Sequence, residues 1–182
     1  RVAIGAQAND GNGSNSGHVR IYEWSGSSWS QLGSDIDGEA AGDAFGYSVS
    51  MDSDGDRVAV GGYGNDGNGN NSGHVRVYDW DGSSWSQQGS DIDGEAALDY
   101  FGISVSLDSD GDRMVIGSSS NDGNGSNSGH ARIFEWDGSS WSQLGSDIDG
   151  EAAGDAFGYS VSMDSDGDRV AIGAHLNDGN GS

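Results

Sequence analysis

Residues 45–62 read FGYSVSMDSDGDRVAVGG, and the run returns at 101–118 as FGISVSLDSDGDRMVIGS and at 157–174 as FGYSVSMDSDGDRVAIGA. Arg1, Arg57, Arg113 and Arg169 mark the same point of each copy, always 56 residues apart. Within the run, Phe45, Tyr47, Val49 and Met51 alternate with Gly46, Ser48 and Ser50. That period of two predicts a strand with one large-residue and one small-residue face. Asp52-Ser53-Asp54-Gly55-Asp56 is a turn, where Gly55 supplies positive φ without steric cost. Arg57 to Gly61 is a second strand, with Val58 and Val60 on one face.

Working outward, a polar loop rich in Asn-Gly and Asp-Gly pairs follows. Gly73 to Trp80 reads as a third strand, with Val75 and Val77 facing one way and Arg76, Tyr78 and Trp80 the other. Asp81 to Ser84 turns the chain, and Trp85 to Gly89 makes a fourth strand. An acidic loop, SDIDGEAALDY, returns to Phe101. Four short antiparallel strands per unit, apolar on both faces, describe an all-β array of β-propeller-type blades packed on neighbours at each side. A β-solenoid would show a much shorter period. The units divide as 1–44 (strands two to four), 45–100, 101–156 and 157–182 (strands one and two). The pattern is already under way at Arg1, so the chain reads as an open segment of a longer array.

Composition narrows the partners. Thirty acids face seven basic residues, all Arg, for a net charge of −23. Such a surface argues against nucleic acid and anionic membranes, which require basic surface. Cations, glycans or a high-salt medium suit it better. There is no Cys, hence no disulfide or thiolate site. No segment has the roughly 18 apolar residues of a membrane span. Low hydrophobicity with high charge can signal disorder, but six Trp, six Tyr and four Phe recurring at fixed places oppose it.

At FGYSVSMDSDGDRVAVGG the unit resembles the FG-GAP repeats of integrin α-chain propellers and their microbial relatives. The run GHVRVYDWDGSSWSQQ resembles strands of the microbial branch. The resemblance implies a propeller of secreted or cell-surface location, with interaction rather than catalysis as its work. The Gly-Ala-Pro of the family name stands here as Gly5-Ala6-Gln7, Gly61-Gly62-Tyr63, Gly117-Ser118-Ser119 and Gly173-Ala174-His175. The calcium loop that the resemblance implies is shortened. Asp52, Asp54 and Asp56 match its first ligand positions, but Val60 stands where a further oxygen belongs.

Several residues invite site hypotheses. Asp35, Asp37, Glu39 and Asp43 stand at alternate positions of the acidic loop, as do Asp91, Asp93, Glu95 and Asp99, and Asp147, Asp149, Glu151 and Asp155. Oxygen ligands so spaced can wrap Ca²⁺, the one cofactor expected, although Gly falls at the fourth loop position rather than the sixth. A solvated acidic connector is the plainer reading. Asp10, Asn12 and Ser14 form a weaker set. Asn12, Asn70, Asn124 and Asn180 each open an N-x-S glycosylation sequon, in a loop whose Asn-Gly pairs also serve as turns. Trp24/Trp29, Trp80/Trp85 and Trp136/Trp141 flank short turns and read as cross-strand pairs, although such a pair can also stack on a sugar. His18, His74, His130 and His175 read as structural or surface residues. The Arg of each second strand is expected to pair with a loop carboxylate.

No G-x-S-x-G elbow or other catalytic constellation is present, and the expectation is a non-enzyme. The expected function is an extracellular structural or adhesive repeat, a segment of a longer blade array or self-assembling fibre. Its partners would be further copies of the repeat. The alternative is a Ca²⁺-dependent glycan- or protein-binding propeller module.

Overall fold

The computed structural model describes residues 1–179, and every regular element in them is a β-strand. The first unit holds β1 (Val2–Ala6), β2 (His18–Trp24), β3 (Trp29–Gln31) and β4 (Ile36–Asp37). The second holds β5 (Ser48–Met51), β6 (Arg57–Gly62), β7 (His74–Trp80), β8 (Trp85–Gln87) and β9 (Ile92–Asp93). The third repeats it as β10 (Ser104–Leu107), β11 (Arg113–Ser118), β12 (His130–Trp136), β13 (Trp141–Gln143) and β14 (Ile148–Asp149). β15 (Phe157–Met163) and β16 (Val170–Ala174) follow. No helix among the described residues is long and apolar enough to cross a membrane.

Each complete sheet is an antiparallel meander, β5-β6-β7-β8 and β10-β11-β12-β13. Local chemistry closes its hairpins. Asp52 Oδ1 accepts from the backbone N–H of Asp56 (3.0 Å) and Arg57 (3.1 Å), fixing the β5–β6 turn. Trp80 stands directly opposite Trp85, with ring centroids 5.4 Å apart. Two departures from the sequence expectation stand out. Phe45 to Tyr47 turn before β5 begins, because the Phe45 N–H is drawn to the Ser16 carbonyl of the preceding unit, 3.1 Å away. The fourth strand breaks after Gln87 and resumes within the acidic loop as β9, which pairs Ile92 with Val75 and Asp93 with His74.

The cores lie between sheets. In β6, Val58 and Val60 face the preceding unit, where Val19, Ile21 and Ile36 meet them together with Phe45 and Tyr78. Ala59, Val75 and Val77 face the following unit and pack on Phe101, Val105, Leu107, Met114 and Ile116. Small residues let the blades approach. A Cβ on Gly61 would lie 2.1 Å from the Gly102 carbonyl oxygen, and Gly102 itself has φ of +82°. Ser48 Oγ donates to that same oxygen (2.8 Å), and Ser50 Oγ accepts from the Leu107 N–H (2.9 Å). The small face of strand one is therefore a hydrogen-bonding face between blades.

Arg57 pairs with Asp79 of strand three (2.6 Å) and donates Nη1 to Gly111 O of the next unit (2.9 Å). Arg113 and Glu135 repeat the pairing. In these copies the partner is a strand carboxylate rather than the loop carboxylate expected, because Arg57 lies directly across the ladder from Asp79, whereas Arg169 does pair with the turn carboxylates Asp164 (3.3 Å) and Asp168 (3.2 Å). Tyr47 of the second unit meets Tyr159, two units later, and burial followed by that neighbour pushes the Tyr47 hydroxyl's pKa up.

Candidate functional site

The four carboxylates of each acidic loop do not converge on one point. Asp35 takes Arg20 through Nε (3.0 Å) and Nη2 (2.8 Å), with Gln31 at 2.6 Å. Those bonds lower its pKa to about 2. Asp91, facing His74 and bonded by Arg76 and Gln87, is likewise held well below the usual range. Asp147 keeps the glutamine contact, with Gln143 at 2.6 Å. Asp37, Asp93 and Asp149 lie in the short strands opposite His18, His74 and His130.

Glu39 leaves its own unit and pairs with Arg76 of the next; Glu95 does the same with Arg132, while Glu151 is exposed. Asp43, Asp99 and Asp155 are buried. Asp43 Oδ2 accepts from the N–H groups of Glu39 (3.1 Å) and Ala40 (2.9 Å), closing the loop upon itself. Asn121 of the following blade donates to Asp99 at 3.1 Å, and Asn177 to Asp155 at 2.9 Å. The spacing expected to wrap one cation does not gather all four: Asp35 and Asp37, two residues apart and so on one face of the strand, meet at His18, while Glu39 and Asp43 lie past β4 and serve other partners.

Asn12, Asn70 and Asn124 are exposed, and Asn180 lies outside the described residues. Asn12 and Asn124 spend their Nδ2 on the carbonyls of Gly38 (2.9 Å) and Gly150 (2.8 Å). The exposed Asn70 side chain instead accepts from Asn71 Nδ2 (3.0 Å). The Trp pairs clasp neighbouring blades: Trp80 and Trp85 cover Gly33, and Trp136 and Trp141 cover Gly89.

Against this uniform background, a few positions change chemistry between copies. Residue 7 is Gln, and its counterparts are Tyr63, Ser119 and His175. Gly42 and Gly154 flank Leu98, Ala44 and Ala156 flank Tyr100, and Tyr47 and Tyr159 flank Ile103. The fold gathers these positions on one rim. Tyr63 packs edge-on against Tyr47 (4.8 Å between centroids) and Tyr100 (5.8 Å), and Tyr159 lies 4.2 Å from His175. Beside them a cleft of about 290 Å³ is lined by Gln7, Ala8, Asn15, Gly42, Ala44 and Tyr63.

Leu98 is half exposed and holds φ of +68°, a left-handed conformation that its counterparts meet with glycine. A branched residue there is strained and gains no burial in return. The sequence signal for this rim was the divergence between copies, which a reading built on their sameness passes over.

Blades cored against one another, with the divergent residues gathered on one rim, define a β-propeller-type repeat protein. A sequence model of the FG-GAP repeat matches residues 35–78, 85–134 and 147–182, and the chain belongs to the FG-GAP repeat family. Gly46 and Gly61 of that repeat line the two seams of their blade, Gly46 against Gly5 of the preceding unit and Gly61 against Gly102 of the following one. Among solved structures, Kuenenia stuttgartiensis hydrazine synthase is similar in fold, with a TM-score of 0.53 and 12% identity over 85% of this chain. The match spans 35% of that chain, about a third of its length. No curated protein matches.

Proposed function

We propose that the chain is an extracellular adhesive repeat module, with blades as scaffold and the tyrosine rim as its recognition surface. The observation that carries this reading is the collection of the divergent, exposed aromatic positions at one place in an otherwise near-uniform array. Tyr47 and Tyr159 are each more than a third exposed. Rigid amphipathic rings beside Gln7 and Asn15 suit the apolar faces and hydroxyls of a sugar ring. Family membership and exposed sequons support an extracellular setting. The chemistry is binding rather than turnover.

A glycan array probed with the chain, with and without Ca²⁺, tests this. Binding weakened about tenfold or more by Tyr63→Ala or Tyr100→Ala is the expected result. Binding indifferent to both substitutions would remove the rim from the account.

A second reading, a structural array or fibre, draws on the recurrence of the same bonds at each seam, such as Ser53 and Ser109 donating to Ser109 and Ser165 carbonyls. Electron micrographs showing only isolated closed rings would reject it.

A further inference from the structure

Among the described residues, the first two seams each assemble a trio that spans two blades. Glu39 of the first unit, with His74 and Asp91 of the second, bring one ligand atom each within 4.8 Å of one another; Glu95, His130 and Asp147 do the same one unit later. His74 and His130 have side chains 1% exposed, whereas the carboxylates are 30–50% exposed, so the imidazole forms the floor and the acids the mouth. His74 Nδ1 faces Asp91 Oδ2 at 3.7 Å, and His130 Nδ1 faces Asp147 Oδ2 at 3.8 Å, both too long for a hydrogen bond. Both ring nitrogens of His74, and Nε2 of His130, are buried without a hydrogen-bond partner. The orphan that faces the carboxylates is His74 Nδ1; at His130 the nitrogen facing Asp147 is Nδ1, and the orphaned Nε2 lies on the other side of the ring.

The neighbouring arginine differs between the two seams. Arg76 bonds both Glu39 and Asp91 and itself neutralises them. Arg132 is shared out more widely: its guanidinium lies 4.2 Å over the Phe101 ring and donates to the Asp93 carbonyl (3.0 Å), and it makes no contact with Asp147 of the kind Arg76 makes with Asp91. It stands 3.5 Å from Glu95, and Nε has no partner. Asp147 is left with Gln143 alone among its side-chain hydrogen bonds.

We propose that Glu95, His130 and Asp147 form a binding site for a divalent transition cation of the Zn²⁺ class, joining the second blade to the third. One imidazole nitrogen and two carboxylate oxygens leave a fourth, open position for water. The nitrogen donor selects such a cation over Ca²⁺, which takes six to eight oxygens. The Glu39–His74–Asp91 trio is the weaker site, because Arg76 must first be displaced.

Zn²⁺ titrated calorimetrically into the chelator-treated chain tests this, with melting followed in parallel. One tight site and a raised melting temperature are expected, with Ca²⁺ failing to compete. Glu95→Gln and His130→Gln should each weaken the tight site about tenfold or more, and Asp110→Asn, on an exposed turn, should not. If His130→Gln fails to fold, Glu95→Gln decides, since its side chain is half exposed. Absence of binding overturns the proposal. So does Zn²⁺ affinity equal in parent and Glu95→Gln, which would mark adventitious association with the acidic surface.

Discussion

Trp85 donates its Nε1 hydrogen to the carbonyl of Leu32, 2.9 Å away and 53 residues earlier in the chain. Trp80, its partner across the hairpin, closes over Gly33, where a Cβ would lie 2.8 Å from the indole ring. Gly33→Ala is therefore expected to destabilise the chain by about 1–3 kcal/mol through overpacking, beyond its backbone strain. Gly145 has the same left-handed φ but meets no atom within 4 Å, so Gly145→Ala incurs the backbone term alone. Urea unfolding of the two variants measures the difference, and equal losses would contradict the clasp.

The next seam carries a flaw. Gln88 replaces Leu32 at the same place, its Oε1 is buried without a partner, and Trp141 Nε1 is unbonded as well. Gln88→Leu should stabilise by roughly 1–2 kcal/mol by removing an unsatisfied acceptor. Denaturant midpoints would show it; a lower midpoint would refute it.

Serine on the small face of strand one has a specific task. Ser106 Oγ accepts from the Met163 N–H at 3.0 Å, as Ser50 does from Leu107. Ser50→Ala or Ser106→Ala should each lose about 1–3 kcal/mol, the penalty of a stranded backbone donor. Hydrogen exchange at Leu107 and Met163 should accelerate in the matching variant only.

Leu98 and ligand binding are expected to oppose stability. Leu98→Gly relieves the left-handed strain and should stabilise by about 1 kcal/mol. It also removes apolar surface next to the rim and should weaken ligand binding. Thermal melting paired with the glycan measurement tests both halves.

Acid should loosen the Trp hairpins in a defined window. Asp81 is lowered from 3.8 to about 2 by the Ser84 N–H, the Ser83 hydroxyl and their neighbours; Asp137 falls equally through Ser139 and Ser140. A carboxylate depressed in the folded state contributes fully above its unfolded pKa and fades as pH falls through the folded one. The contribution is thus complete above about pH 4 and disappears toward pH 2. Asp81→Ser with Asp137→Ser, copying Ser25 of the first unit, should flatten that part of the pH–stability curve, read by tryptophan fluorescence.

Much of this architecture was legible in the alternation of Val58, Ala59 and Val60, because a strand's two faces must meet two different neighbours. The start of β5 was not, since Phe45 answers to Ser16, a residue of another unit with no local signature. The acidic loops misled for a related reason: spacing shows that Asp35, Asp37, Glu39 and Asp43 are near in sequence. It does not show that Glu39 reaches Arg76 and that Asp43 folds back on Ala40. The Glu95–His130–Asp147 trio was hidden because its members come from two copies, and His130 looked solitary within its own.

Because Val19, Ile21 and Ile36 pack against Phe45, Val58, Val60 and Tyr78 of the next sheet, no unit is complete by itself. Excising or duplicating 56 residues keeps every face matched to its complement, whereas an indel of any other length exposes an apolar face or breaks a turn. Such a gene can change length by unequal recombination in whole steps without passing through a misfolded intermediate, and the product should melt at a temperature that rises with copy number until it levels off.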